Sequence, residues 1–236
     1  MAIQSRFAKN GEVAVHYLIS HEESSSVPLL ICPGLSETAE EYADLMAYLS
    51  PRKCIALSFR GRGQSGTPES GYDLEHHVAD IRAVVDHADL NRFHLYANSR
   101  GVSYAIGYSE KYPSGIMSMI MQDYPAEHKA MATEWPEEYI LQYLVPFSRQ
   151  RNIRPEAVRG IGKESTPIRF GKKTNKRLLV LRGRLEDSLL NDEELKCYSQ
   201  LSDDLRAVTF ERSGHDIRNT EKSLLYRTIG DFIQLT

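Results

Sequence analysis

The stretch Phe93-His94-Leu95-Tyr96-Ala97-Asn98-Ser99-Arg100-Gly101-Val102 constrains the fold more than any other part of the chain. Its first half is an apolar run with the length of a buried strand. From Val102 onward, through Tyr104-Ala105 and Tyr108, the apolar residues take up helical spacing. No loop-forming residues separate the two patterns, so the chain must pass from strand to helix in a sharp turn with Ser99 at its apex. That geometry lifts a serine hydroxyl clear of the sheet. The residues two before and two after the serine pass close to neighbouring backbone and must be small, as Ala97 and Gly101 are. Ser99 is therefore the candidate nucleophile. Its base, its acid and its oxyanion donors must come from elsewhere in the chain.

The remaining elements predict a sheet for that strand to join. Asn10-Gly11 lies between alternating segments and signals a hairpin over residues 5–19. Apolar runs at 28–32, 54–59, 115–121, 178–181 and 206–210 read as strands, the first of them as one buried on both faces. Between them lie segments of helical periodicity, at 40–49, 74–90, 192–201 and 220–235. Strands alternating with helices define an α/β fold, a mostly parallel central β-sheet covered by helices on both faces. Residues 126–176 break the rhythm. Short amphipathic pieces at 136–147 and 155–161 alternate there with Pro, Gly and basic residues, and the segment holds the only tryptophan, Trp135. It reads as a short helical lid inserted over the sheet, within a single domain spanning 1–236. No internal repeat is present.

Composition removes several classes of function. With 236 residues, 41% hydrophobic and 26% charged, the chain suits one ordinary globular domain. A net charge of −3 gives no basis for a nucleic-acid partner or an anionic membrane surface. The basic stretch at 169–177 reads as a solvated loop before a strand. No apolar run approaches the roughly 18–20 residues needed to cross a bilayer, and the first residues lack the apolar core of a secretory signal. Cys32, Cys54 and Cys197 are too few and too scattered for a disulfide framework or a zinc site. A cytoplasmic protein is the expectation, and oligomeric state is not legible. Gly61-Arg62-Gly63-Gln64-Ser65-Gly66 has the spacing of a dinucleotide fingerprint. Such a fingerprint requires a helix to open at once, and Thr67-Pro68-Glu69-Ser70-Gly71 intervenes. Neither a metal nor an organic cofactor is implied.

A serine hydroxyl becomes a useful nucleophile when an imidazole takes its proton and a carboxylate holds the imidazole's tautomer. In a doubly covered sheet such groups gather at the carboxyl ends of strands. Ser99 ends one strand, Glu186-Asp187 follow another, and His215 follows the last within Ser213-Gly214-His215. Among the other histidines, His76, His77 and His87 fall in a helix and His94 in a strand, which makes them structural. The order serine, acid, histidine fits this architecture.

Five motifs in this order resemble the α/β-hydrolase fold superfamily over nearly the whole chain. They are Pro33-Gly34-Leu35, Arg60-Gly61-Arg62-Gly63-Gln64-Ser65, Ala97-Asn98-Ser99-Arg100-Gly101, Gly183-Arg184-Leu185-Glu186-Asp187 and Ser213-Gly214-His215. The chain departs from the family in opening its elbow with Ala97 and in carrying Pro33 where a histidine is common. The resemblance implies a serine hydrolase in which the backbone N–H groups of Leu35 and Arg100 form the oxyanion hole. It leaves three carboxylates open as the acid: Asp187 first, Glu186 as the alternate, and Asp123 at the end of the preceding strand. Tyr124, Trp135 and Tyr139 are expected as pocket walls. The Arg100 side chain has two readings, attraction of an anionic substrate or pairing with a nearby carboxylate. The implied reaction is hydrolysis of a small ester, lactone or related acyl substrate. The alternatives are carbon–carbon bond hydrolysis of a diketone-like substrate, and a ligand-binding protein that keeps the fold with little turnover.

Overall fold

A computed structural model describes residues 3–234. Ten strands are present among them: β1 (Ile3–Asn10), β2 (Val13–Ser20), β3 (Leu29–Cys32), β4 (Cys54–Leu57), β5 (Phe93–Asn98), β6 (Ile116–Gln122), β7 (Glu127–His128), β8 (Ile168–Arg169), β9 (Arg177–Gly183) and β10 (Leu205–Phe210). Eight of them form one sheet in the order β1-β2-β4-β3-β5-β6-β9-β10. The expected hairpin pairs β1 with β2 antiparallel, and β2 is also antiparallel to β4. Every pairing from β4 to β10 is parallel. The mostly parallel sheet expected from the sequence is the one observed.

Alternation along β5 explains how the sheet is covered on both sides. Phe93, Leu95 and Ala97 enter one apolar cluster, and Tyr96 enters the other. The first cluster is closed by α2 (Leu74–His87), α3 (Gly101–Lys111) and α6 (Asp192–Leu201). The second is closed by α1 (Ala43–Tyr48), α7 (Ile217–Thr220) and α8 (Lys222–Gln234). Leu30, Leu95, Ile120 and Leu179 have no solvent exposure, and each such side chain contributes about 1.5–3 kcal/mol relative to leaving it in water.

Between β6 and β9 the chain forms α4 (Trp135–Tyr139), a π-helical turn at Ile140–Leu144 and α5 (Pro155–Glu164), together with the small antiparallel pair β7–β8. These helices have a core of their own, made of Ile140, Leu144, Ile153, Ala157, Val158 and Ile161 with Tyr72, against which Leu35 packs. The closing helix expected at 220–235 is α8, and the short α7 precedes it, the two separated by Glu221, whose carboxylate accepts from Arg212 N–H and Ser213 Oγ. Residue 235 lies outside the described residues.

The glycine-rich run after β4 is a turn. Arg60 within it makes a two-pronged pair with Asp80 of α2 (2.9 and 2.7 Å), both side chains being buried. Arg62 is wholly buried, and its Nε donates to the carbonyl of Leu35 at 3.0 Å. The run thus braces the loop after β3, and the next helix opens only at Leu74.

Candidate active site

Ser99 sits between β5 and α3 with φ of 51°, a left-handed conformation that costs a non-glycine residue energy and is found where the surroundings enforce it. Its N–H donates to the Gln122 carbonyl and its own carbonyl accepts from Val102 N–H, which fixes the turn. A side chain at Gly101 would place Cβ 2.3 Å from the Pro33 carbonyl oxygen. Glycine there is what lets α3 start against the end of β3.

His215 follows β10, and its Nε2 is 3.0 Å from Ser99 Oγ. Its Nδ1 is 2.8 Å from Asp123 Oδ2. The carboxylate expected at Asp187, or alternatively at Glu186, is therefore replaced by Asp123, the third of the sequence candidates. The physical reason lies in the sheet. β6 and β9 are neighbours in register, with Gln122 opposite Leu181, and Asp123 N–H donates to the Leu181 carbonyl at 2.8 Å. The ends of both strands thus reach the same place, and Asp123 occupies it from below. Asp123 is fully buried, with φ of 48°. Besides His215 it accepts from Gly183 N–H (3.2 Å), Ser188 Oγ (2.5 Å) and Leu189 N–H (3.0 Å). These bonds fix the aim of the carboxylate. Asp187 and Glu186 are exposed. Asp187 lies over the backbone of Gly214 and accepts only a long bond, 3.4 Å, from the His215 N–H.

A cavity of about 460 Å³ opens over Ser99 and His215. Leu35 and Tyr139 line it, while Tyr124, Trp135 and Arg100 are not among its lining residues. Tyr124 is buried and passes its carbonyl to Tyr198 Oη at 2.6 Å. Trp135 stacks on Tyr139 and so backs the wall without forming it. Tyr139 Oη donates to Ser36 Oγ at 2.9 Å, and burial raises its pKa to about 12.

Neither reading of the Arg100 side chain matches its surroundings. It is buried, and it donates to Tyr104 Oη (3.1 Å), Ser165 Oγ (2.7 Å) and the Lys129 carbonyl (3.2 Å), partners without charge. It is a tether between the elbow and the 126–176 segment. Its backbone stands at the start of α3, the positive end of the helix dipole. His128 lies alongside, with Nδ1 3.0 Å from Ser103 Oγ, and burial together with the Arg100 charge holds its pKa down to about 3.

Five charged residues that sequence reasoning did not single out also line the cavity: Glu37, Glu41, Arg149, Asp216 and Arg218. Arg149 Nη2 reaches Glu41 Oε1 at 3.0 Å and the Ser36 carbonyl at 2.8 Å. Arg218 Nη2 reaches Glu37 Oε1 at 2.9 Å. The only local signal for Glu37 was its place three residues after Gly34; the arginines gave none. Among the described residues, no three His, Cys, Asp or Glu side chains are grouped so as to hold a metal ion. Nor is any helix there long and apolar enough to cross a membrane.

The sheet order, the elbow and the cavity at the strand ends define an α/β hydrolase. Residues 27–213 match the family described as alpha/beta hydrolase fold, and the chain belongs to it. Among curated proteins it is similar to a proline iminopeptidase of Lactobacillus helveticus, 30% identical over 154 residues. That match takes in 61% of this chain and 51% of the relative, so the chain spans about half the length of the curated relatives it matches. Among solved structures, an esterase from Exiguobacterium antarcticum superposes with a TM-score of 0.81 at 16% identity, covering 98% of this chain and 100% of that one. Est816, described as an N-acyl homoserine lactone degrading enzyme, gives 0.77 at 16% identity, covering 96% and 99%.

Proposed function

We propose that this protein is a serine hydrolase that cleaves a small ester, lactone or related acyl substrate through an acyl-enzyme on Ser99. The observation that carries the reading is the line Asp123–His215–Ser99, with links of 2.8 and 3.0 Å, at the floor of a cavity of substrate size. With Asp123 accepting from Nδ1–H, the other ring nitrogen is left as the base. His215 Nε2 takes the proton from Ser99 Oγ as it attacks the carbonyl carbon. The negative charge that forms on the carbonyl oxygen is received by the N–H groups of Leu35 and Arg100. Collapse breaks the bond to the leaving oxygen, which takes its proton from His215. A water molecule then repeats the sequence on the acyl-enzyme, releasing the acid and restoring the serine. The 126–176 segment serves as a lid, supplying Tyr139, Tyr143 and Arg149 to the cavity wall.

The likeness to a proline iminopeptidase raises a second reading, an aminoacyl substrate held by its ammonium group. The glutamates in the cavity are already engaged by Arg218 and Arg149, which favours the ester reading. A cytoplasmic location belongs to the same proposal and is supported by the free thiols of Cys32, Cys54 and Cys197. The test is Ser99→Ala with a short-chain nitrophenyl ester and a fluorophosphonate probe. Loss of both turnover and labelling is the expected result. Turnover undiminished in the variant would overturn the assignment. A wild type that resists labelling would leave the ligand-binding alternative, and carbon–carbon cleavage would show in the products of a diketone.

A further inference from the structure

Glu37 stands where three loops of the site meet. Its Oε2 accepts from Gly34 N–H in the loop after β3 (2.6 Å), from Asn98 Nδ2 beside the nucleophile (2.9 Å) and from Tyr42 Oη (2.6 Å). Its Oε1 takes Arg218 Nη2 at 2.9 Å. Arg218 lies three residues beyond His215. It is itself held by the Glu41 carbonyl (2.8 Å) and by stacking over the Tyr42 ring, 4.6 Å to the centroid. The oxyanion loop, the serine elbow and the histidine loop therefore share one carboxylate. By taking the Gly34 N–H, Glu37 also leaves the next amide, that of Leu35, as the donor for substrate. Glu37 and Ser99 both close on Gly34, where a built Cβ would lie 2.9 Å from Glu37 Oε2 and 3.1 Å from Ser99 Cβ.

A bare carboxylate at that distance would oppose the charge that develops on the substrate oxygen. Arg218 removes the opposition. Resting on the hydrolase reading above, we propose that Glu37 and Arg218 are paired positioning residues. Glu37 binds the three loops into one frame, and Arg218 cancels its charge so that the frame does not destabilise the oxyanion. Burial acts to raise the Glu37 pKa, but the Arg218 charge and the hydrogen bonds from Tyr42, Asn98 and Gly34 outweigh it and hold the carboxyl below its ordinary value. Glu37 is therefore ionised at neutral pH, and its neutralisation has to come from Arg218.

The test compares R218Q, R218K and the double variant E37Q/R218Q with wild type on the nitrophenyl ester, with kcat scaled to sites titrated by the fluorophosphonate. R218Q leaves Glu37 uncompensated and is expected to lose about tenfold or more in kcat with KM little changed. R218K, which keeps the charge, is expected to retain most of the wild-type kcat. E37Q/R218Q, which has neither charge, is expected to be faster than R218Q although it is the more heavily altered protein. A double variant as slow as R218Q or slower would overturn the inference, and so would a loss in R218Q that falls on KM alone. Should R218Q fail to fold, R218K decides, and a kcat far below wild type in that variant overturns it. Wild type no faster than Ser99→Ala would bring down the hydrolase reading and this inference with it. Wild-type turnover left intact in R218Q would bring down this inference alone.

Discussion

Asp123 and Asp187 lie close to each other at the carboxyl ends of neighbouring strands, and only one of them faces the imidazole. Asp123 is fully buried and gathers four donors, whereas Asp187 is exposed and accepts one long bond from the His215 N–H. Replacing Asp123 by Asn puts a neutral amide beside Nδ1, and with its NH2 group toward the ring the proton moves to Nε2, so the tautomer that leaves Nε2 as a base is lost. The D123N variant is expected to lose on the order of 10³–10⁴ in kcat, while D187N stays within a few-fold of wild type; ester turnover of the purified variants decides it. Equal losses in both would show that the acid is shared. The serine and the histidine could be read from the sequence because Ser99 directly follows an apolar strand with Gly101 two residues on, and His215 follows Gly214 in the turn after the last strand. The choice of acid could not, because it depends on the register of β6 against β9. Glu37 and Arg218 are 181 residues apart, and no local pattern joins them. The positive charge of Arg100 was visible, but not that it would be spent on Tyr104, Ser165 and Lys129.

Among the elements, α3 carries the site and allows the least change. It begins one residue after the nucleophile's neighbour, with Gly101 pressed against the carbonyls of Pro33 and Cys32, which a Cβ would meet at 2.3 and 2.6 Å. Both contacts are backbone and cannot swing aside. The substitution Gly101→Val must move α3 away from β3, at a cost of about 1–3 kcal/mol or more. It is expected to lower the melting temperature and to abolish labelling of Ser99, and a variant that melts and labels like wild type would refute this account. Trp135 and Tyr139 were named from the sequence as pocket walls, and in the structure Trp135 stacks on Tyr139 at 5.2 Å while Tyr143 meets Tyr139 in a tilted contact at 5.1 Å. Which ring would face the cavity was not legible. The helix changes to π-helical hydrogen bonding at Ile140–Leu144, with Val145 N–H reaching the Ile140 carbonyl. This turns its later residues relative to a regular helix.

For the whole molecule, acid is the condition that tests the packing. His128 and His94 have pKa values pushed down to about 3 and about 4, and His77 is also well below its ordinary value, in each case chiefly by burial and then by neighbouring arginines. The folded state keeps these rings neutral, while the unfolded chain takes up protons near pH 6.5. Stability is therefore complete above that pH and falls as pH drops through the interval down to the folded values. Glu37, whose pKa is lowered, acts in the same direction, its contribution disappearing as the carboxyl protonates. Urea midpoints measured from about pH 7 down to about pH 4.5 should decline, and less steeply in His128→Gln. A midpoint indifferent to pH, or an H128Q slope equal to that of wild type, would contradict this. The alternating strands and helices made the sheet and its two covered faces readable from sequence. These polar clusters were not, because their members come from helices and loops far apart in the chain.

The Arg100 tether has a further consequence for anyone recombining this protein with its relatives. The guanidinium binds Lys129 near one end of the inserted segment and Ser165 near the other, while its backbone opens the helix behind the nucleophile. The segment is thus not a detachable module. A chimaera that imports a foreign insertion must also import acceptors for Arg100, or it leaves an unmatched cation buried one residue from the serine. Transplants that lose the Ser165 hydroxyl and displace the backbone carbonyl at 129 should yield protein with a damaged nucleophile, and those that keep both acceptors in place should not.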